Sequence, residues 1–427
     1  MTGCSGDRPS YGWLDKRAEP DAQTKLRRLI DLIETARDVW MESPAFGSPF
    51  HHWHNRYREI QRIAAERNHE PLTASFASAL VERALIDAIC RARGNPLWSA
   101  IQQGQIDFFP EAVHPELKGF NLLKHLPPRP RTRFFIRHTV GLSDPLTAAD
   151  NPSPIGDGEP ETLEEFSQRD GLRYFKVKIG GNPEEDLDRL QRIWDVIPKT
   201  PDTALTLDGN EAYNDISVFS FFVDRLEEEA PGLFQHLLFI EQPLTRELTL
   251  NLKSKRWIDR IAEKKSLVID EADGDPESFK RAHTIGYAGV SHKNCKGFYK
   301  SLLNRALIER YNQGGDFTFQ TGEDLSLMPI VPLHQDFAAL GLLGIEHCER
   351  NGHHYSYGLS HLTAEEKAMM LRDHPDLYVE RRDEVFLNIV EGQVNCASLQ
   401  QAPGFGVKTL PDWGAMEPMR TWIDTHY

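Results

Sequence analysis

Charged residues follow short apolar runs at five places along the chain, spaced by about one strand-plus-helix unit of 30 residues. In chain order they are Lys176 and Lys178 in YFKVKIG, Asp208 in TLDGN, Glu241 in IEQP, Asp270 in VIDE and Lys293 in SHK. Three carboxylates that end successive strands would repel one another unless a cation lay between them. Because the set holds only oxygen ligands, it favours Mg²⁺, with Mn²⁺ as an alternative ion. A lysine on either side could take a proton from a bound substrate and return one.

Eight strand-like runs alternate with longer amphipathic segments after residue 130, which predicts an α/β fold. The predicted strands are residues 133–140, 174–179, 204–208, 237–241, 266–270, 288–292, 317–321 and 344–347. A right-handed series of eight strand–helix units closes most economically as a (β/α)8-type barrel. The carboxyl ends of all strands then share one face, where the active sites of such barrels lie. The barrel would therefore bring the five charged motifs together.

The chain divides into three predicted segments. Residues 1–130 are expected to form a mainly helical capping domain, in which residues 72–92 make a long helix. Residues 131–365 are expected to form the barrel with the active site. Residues 366–427 contain extended pieces and a glycine-rich turn at 403–407, and we expect this C-terminal segment to complete the capping domain.

The charge balance argues against two classes of partner. The 427 residues include 49 Lys and Arg against 64 Asp and Glu, which gives a formal net charge of −15. Such a surface repels nucleic acids and anionic membranes, and no basic block in the sequence overrides this repulsion. The sequence shows no apolar leader and no membrane-length run, and its five cysteines are scattered, so we expect a cytoplasmic protein.

The order of these motifs resembles the enolase superfamily, and most closely its muconate-lactonizing enzyme branch within the mandelate racemase/muconate-lactonizing enzyme family. The likeness rests on KxK, Asp-Gly-Asn, Glu-Gln-Pro, Asp-Glu and a sixth-strand lysine, and it spans roughly residues 72–410. The resemblance implies one Mg²⁺ held by three acids, together with an acid/base pair of lysines and a third lysine that tunes the first. By that resemblance the ligands are Asp208, Glu241 and Asp270, the pair is Lys178 and Lys293, and the tuning residue is Lys176.

The resemblance also implies a reaction class. We expect an isomerase or lyase that abstracts the α-proton of a small carboxylate substrate through an enediolate intermediate. Two opposed lysines would give racemisation, epimerisation or cycloisomerisation. The alternatives are an acid-sugar dehydratase on the same metal site, an isomerase of neutral sugars, and a non-catalytic relative that binds metal and acids. Relatives commonly self-associate, which implies a homo-oligomer.

Four further residues are predicted to bind substrate or to support the metal ligands. Asn210 lies in the Asp-Gly-Asn motif, and Glu271, beside a predicted ligand, is expected to pair with a lysine. Glu323 ends predicted strand seven, where it either positions the substrate or caps the next helix. Glu346, placed at the end of predicted strand eight, either faces the substrate carboxylate or is an exposed acid beside Arg350.

Two departures from the family pattern affect substrate choice. The superfamily's first domain usually opens with strands and a substrate-selecting loop, whereas residues 1–30 show no alternating strand pattern. We therefore expect the cover of the active site to be built differently. Lys296 stands where many relatives have glycine, and it either accommodates an anionic group of the substrate or marks the start of a helix.

Overall fold

Eight parallel strands close into a barrel at the centre of the chain. The computed structural model describes residues 2–42, 45–323, 328–350 and 356–426. The barrel strands are β1 Arg133–Val140, β2 Tyr174–Lys178, β3 Ala204–Asp208, β4 Leu237–Glu241, β5 Ser266–Ile269, β6 Gly289–His292, β7 Phe319–Gly322 and β8 His347–Arg350. Neighbours in sequence pair in parallel, and β1 also pairs with β8, which closes the ring. The predicted (β/α)8-type barrel is confirmed.

Helices cover the outside of the barrel between its strands. They are α6 Leu163–Asp170, α7 Pro183–Val196, α8 Ile216–Glu229, α9 Pro231–His236, α10 Arg246–Thr249, α11 Lys255–Ala262, α12 Ser278–Ile285, α13 Phe298–Gln313 and α14 Val331–Leu343. In α7, Leu187, Leu190 and Ile193 recur at helical spacing and are all buried against the sheet. Within the described residues, no helix combines the length and the apolar character needed to cross a membrane.

The first part of the chain is helical, as predicted. Its helices are α1 Tyr11–Leu14, α2 Ala22–Met41, α3 Pro49–Glu66, α4 Pro71–Arg93 and α5 Leu97–Gln102. The predicted long helix at 72–92 corresponds to α4, which ends at Gly94 in the left-handed conformation (φ +68°). Thirteen of its residues are buried, because α4 packs against both the other helices and the barrel side of the molecule.

The C-terminal segment returns to the N-terminal helices. It contains α15 Ala364–Asp373, β9 Tyr378–Arg381, β10 Glu384–Leu387, β11 Gln393–Asn395, α16 Ala397–Gln400 and α17 Met419–His426. β9 and β10 form a hairpin, and β11 pairs antiparallel with β1. The Phe405 amide donates to Asp87 of α4 at 2.6 Å, and Arg420 contacts Asp31 of α2 at 2.9 Å. These contacts tie the tail to the helices it was expected to reach.

The predicted boundaries of the last two strands were wrong. β7 starts two residues later than predicted, and β8 starts at His347 instead of at residue 344. For β8 the reason is that α14 continues to Leu343 and ends at Gly344, whose φ of +71° is the left-handed conformation that ends many helices. The apolar run that had suggested a strand start is therefore the end of a helix.

Candidate active site

The barrel brings the five predicted charged motifs to one face. Lys178, Asp208 and Glu241 are the last residues of β2, β3 and β4. Asp270 directly follows β5, and Lys293 directly follows β6. The carboxyl ends of parallel barrel strands lie together, so these side chains surround a common mouth.

Lys176 lies at the centre of a group of buried acids. Its Nζ is 2.6 Å from Glu241, 2.7 Å from Glu323, 2.9 Å from Asp208 and 3.0 Å from Glu349. Burial alone would lower the pKa of Lys176, but the surrounding carboxylates, Asp208 foremost, raise it well above its ordinary value. Lys176 is therefore a fixed positive charge that compensates the acids of the barrel core.

Lys178 stands beside Lys176 and nearer to solvent. Its Nζ is 2.5 Å from Asp208 and donates to the Asn210 side-chain oxygen at 2.8 Å. Burial and the charge of Lys176 lower the pKa of Lys178, but Asp208 outweighs them and the net shift is upward. Asp208 outweighs the tuning effect of Lys176 because it contacts the same ammonium. With 21% of its side chain exposed, Lys178 is accessible from the mouth.

Lys293 approaches the same region from the other side. β6 lies four strands away from β2 in the closed ring of eight, so the two lysines face each other across the barrel. Lys293 Nζ is 2.7 Å from Asp270, and this acid raises the lysine pKa against the opposing effect of burial. Its ammonium also lies 4.6 Å from the centre of the Trp13 ring. Trp13 therefore covers Lys293 from the N-terminal segment.

The three predicted metal ligands are buried and carry suitable donor atoms. Neither oxygen of Glu241 accepts a hydrogen bond of good geometry from the described residues, and burial raises its pKa well above the ordinary value. Asp208, however, is turned toward Lys176 and Lys178, and Asp270 is turned toward Lys293. Within the described part of the chain, no three possible ligands converge as a metal cluster. The chemistry of the donor set fits Mg²⁺, while the acids are compensated here by lysines.

Asn210 and Glu271 connect this mouth to the N-terminal segment. The Asn210 amide donates to Glu271 at 2.9 Å, which orients the oxygen that accepts from Lys178. Glu271 does pair with a lysine, namely Lys16, at 3.4 Å. Lys16 also donates to the backbone carbonyl of Asn210. The first residues of the chain thus reach the active-site mouth without forming a strand.

Glu346 does not lie where it was predicted. It precedes β8, its side chain is 55% exposed, and it pairs with Arg131 at 3.2 Å near the amino end of the barrel. The prediction of a substrate-facing acid at this position was wrong because the strand starts after it. Glu349, three residues later, is the buried strand-eight acid beside Lys176.

Arg137 and Glu349 are charged residues of the site that the sequence reading missed. Arg137 in β1 pairs with Glu323, and both side chains are fully buried. Glu349 accepts from Thr139 at 3.1 Å as well as from Lys176. An arginine within the apolar run RFFIRHTV was an available signal, since a buried charge needs a partner. The location of Glu323 against two cations favours a positioning role over helix capping.

Lys296 is turned into the protein core. Its Nζ donates to Ser291 at 2.6 Å and lies 3.2 Å from Asp270 and 3.1 Å from Asp273. These acids raise its pKa despite the effect of burial. Lys296 therefore contacts Asp270 from the core side of the site. Because its ammonium is engaged there, the structure argues against a contact between Lys296 and an anionic group of the substrate.

Contacts with the neighbouring backbone explain the residue types in the Glu-Gln-Pro and Asp-Gly-Asn motifs. The buried Gln242 side chain accepts from the amides of Asp270 at 2.9 Å and Ala272 at 3.1 Å, which fixes the end of β5. A Cβ on Gly209 would lie 2.7 Å from the Cα of Pro243, so only glycine fits between these two loops. Both motifs thus hold neighbouring strand ends close together.

Comparisons with known proteins agree with this architecture. No family model matches the chain. Its structure is similar to the mandelate racemase/muconate lactonizing enzyme from Bordetella bronchiseptica RB50, with a TM-score of 0.61 and 17% identity over 93% of this chain and 87% of that one. The chain therefore shares the barrel fold of that enzyme. The resemblance found in the sequence is thereby confirmed at the level of the fold.

Two further similarities concern proteins described as epimerases. The dipeptide epimerase from Enterococcus faecalis V583 gives a TM-score of 0.55 and 13% identity over 89% of this chain and 85% of that one. In sequence, the hydrophobic dipeptide epimerase of Citrifermentans bemidjiense is 26% identical over 287 residues. That match spans 64% of this chain and 64% of the relative, which is less than two thirds of the relative's length.

Proposed function

We propose that this chain is an isomerase that moves the α-proton of a carboxylate substrate, as a racemase or epimerase. The observation that carries the proposal is the position of Lys178 and Lys293 at the ends of opposite barrel strands. A base on one face of a carbon and an acid on the other face allow a proton to leave from one side and return from the other. Such an exchange inverts the configuration of the α-carbon.

The lysines of the mouth have different roles in the proposed proton transfer. The lysine that removes the proton must be neutral, whereas the lysine that returns one must be protonated. The two lysines exchange these states when the opposite stereoisomer is the substrate. The fixed charge of Lys176 lies beside Lys178 and compensates the buried acids around it, which keeps those acids in place below the mouth.

We include Mg²⁺ in the proposal, held by Asp208, Glu241 and Asp270. When bound, a divalent cation would stabilise the negative charge that develops on the substrate carboxylate as the α-proton leaves. Support for this ligand set comes from three buried carboxylates at successive strand ends and from Glu241, whose oxygens accept no hydrogen bond of good geometry from the described residues although Lys176 lies 2.6 Å away. Mn²⁺ has the same preference for oxygen ligands and is the alternative ion.

Among carboxylate substrates, we propose a dipeptide first. The support is the sequence similarity to a protein described as a hydrophobic dipeptide epimerase and the structural similarity to a dipeptide epimerase. In a dipeptide, the C-terminal residue carries an α-proton next to the free carboxylate, which is the arrangement that the two lysines require.

Hydrogen exchange at the α-carbon tests the proposal. L-Ala-L-Phe and other dipeptides are incubated with the protein and Mg²⁺ in deuterated water, and deuterium incorporation is measured by mass spectrometry. Incorporation should fall by at least about 100-fold in Lys178→Ala and in Lys293→Ala. The control Lys199→Ala changes an exposed lysine of the loop after α7 and should keep wild-type exchange. Undiminished exchange in both active-site variants would refute the two-base assignment.

A further inference from the structure

An apolar cavity lies beside the mouth, outside the group of catalytic charges. Its volume is about 1180 Å³, and it is lined by residues 5–13, Leu26, residues 329–332 and parts of the stretches 361–366 and 411–422. Most of the exposed wall is apolar and includes Trp13, Trp413, Met416 and Trp422, although five charged residues also line it. The volume exceeds the range of about 300–1,000 Å³ that is usual for small-molecule sites. The cavity therefore has room for a whole apolar group of a ligand.

Trp13 belongs both to this cavity and to the catalytic mouth. Its ring lines the cavity and also lies 4.6 Å from the ammonium of Lys293. The indole nitrogen of Trp13 is buried and has no hydrogen-bond partner among the described residues. A group in the cavity thus lies against the same side chain that covers one proposed base.

The cavity wall comes from the parts of the chain that depart most from the family pattern. One side is the N-terminal segment 5–13, in a region where the superfamily usually has strands and a substrate-selecting loop. Another side is the C-terminal tail around Met416, which returns to the N-terminal helices through the contact of Arg420 with Asp31. A wall built by these two segments provides a specific means of selecting the substrate.

We infer that this cavity receives the large apolar side chain of the substrate and that Trp13, Met416 and Trp422 select for it. The inference rests on the proposed function, because it takes the ligand to be the carboxylate whose α-proton is moved. The ligand class is then an acid with an aromatic or branched aliphatic substituent. Anionic substituents are disfavoured, since four acids and one arginine are the charged residues of the wall and the rest of it is mainly apolar.

Gly12 permits a direct test by filling the cavity. It lines the wall within α1, and a Cβ placed on it meets no atom within 4 Å, so Gly12→Phe adds a ring without a backbone clash. Gly47→Phe is the matched control, because its Cβ also meets nothing within 4 Å and it does not line the cavity. Met416→Ala removes part of the wall without filling the cavity, and it therefore provides a second, independent test.

Binding is measured by calorimetry with 4-phenylbutyrate and butyrate in the presence of Mg²⁺. Wild type and Gly47→Phe should bind 4-phenylbutyrate at least about tenfold more tightly than butyrate. A hydrophobic pocket discriminates between groups of this size at least to that extent. Gly12→Phe should abolish this preference, and Met416→Ala should reduce it. An equal preference in wild type, Gly12→Phe and Met416→Ala would overturn the inference.

Exchange kinetics separate this inference from the proposed function. The ratio of kcat/KM for L-Ala-L-Phe to that for L-Ala-L-Ala should be high in wild type and should collapse in Gly12→Phe. If exchange occurs and the ratio is unchanged in Gly12→Phe, the cavity inference fails and the proposed function stands. If no acid exchanges but binding of 4-phenylbutyrate depends on Gly12 and Met416, the proposed function fails and the cavity remains a site for apolar acids.

Discussion

The ammonium of Lys176 lies 2.6 Å from the carboxylate of Glu241, and both side chains are fully buried. Asp208, Glu323 and Glu349 lie within 3.0 Å of the same ammonium. Buried acids without compensating charge are strongly destabilising, so one lysine serves as the countercharge for much of the barrel core. Lys176 is therefore a structural requirement of the site as well as a neighbour of the proposed base.

Lys176→Met should destabilise the protein by about 3–5 kcal/mol, because it leaves several buried acids without their cation. The free energy of unfolding is measured by urea denaturation at pH 7. Lys253→Met is the control, since Lys253 is exposed and such surface changes usually stay within about 0.5 kcal/mol. Equal denaturation midpoints for Lys176→Met and wild type would contradict this role.

Glu349→Gln and Glu346→Gln should differ sharply although the residues are three positions apart. Glu349 contacts Lys176 inside the barrel, so its loss should lower stability by about 1–3 kcal/mol and reduce α-proton exchange. Glu346 forms only an exposed ion pair with Arg131, which contributes about 0–1 kcal/mol. Thermal unfolding and exchange rates of both variants check the difference, and a larger effect of Glu346→Gln would reverse the assignment.

Glu82 should make stability depend on pH. It is fully buried and accepts from the Tyr299 amide at 2.6 Å, and burial raises its pKa to about 7. Because the unfolded chain has a Glu pKa of about 4.3, the folded state binds more protons between these values, and ionisation opposes folding as pH rises. Glu82→Gln should therefore gain stability relative to wild type at pH 8, by about 1–3 kcal/mol, and little at pH 5.

The pH dependence is measured by urea denaturation at both pH values. Glu228→Gln, which changes an exposed acid of α8, is the matched control and should show a similar small difference at pH 5 and at pH 8. A stability difference between Glu82→Gln and wild type that is the same at both pH values would show that ionisation of Glu82 does not oppose folding.

Lys16→Met should loosen the N-terminal segment over the mouth. The change removes the partner of buried Glu271 and a hydrogen bond to the Asn210 carbonyl. We expect faster hydrogen exchange of the amides of α1, because local opening becomes easier when its anchoring contacts are lost. Hydrogen–deuterium exchange with mass spectrometry measures the effect, with Lys118→Met, an exposed lysine outside this segment, as control. Unchanged protection of α1 would exclude Lys16 as an anchor.

Strands two to six could be predicted because each combines an apolar run with a charged residue at or directly after its end, which is a local signal. Strand eight could not be placed in the same way, since the apolar residues before Gly344 belong to a helix whose end depends on the φ of that glycine. The misplacement of Glu346 followed from this boundary. Arg137 was missed because a single charge inside a strand does not identify its partner.

The sequence by itself determined which acids and lysines stand at the strand ends, and hence the barrel and the face that carries its chemistry. The tertiary structure alone decided which charge compensates which acid: Lys176 for Glu241, Lys296 for Asp270 and Lys16 for Glu271. Ion pairing depends on distances between residues far apart in the chain, whereas strand and helix patterns depend on neighbours. The cavity between the N-terminal segment and the C-terminal tail likewise joins residues far apart in the chain, so only the folded protein shows it.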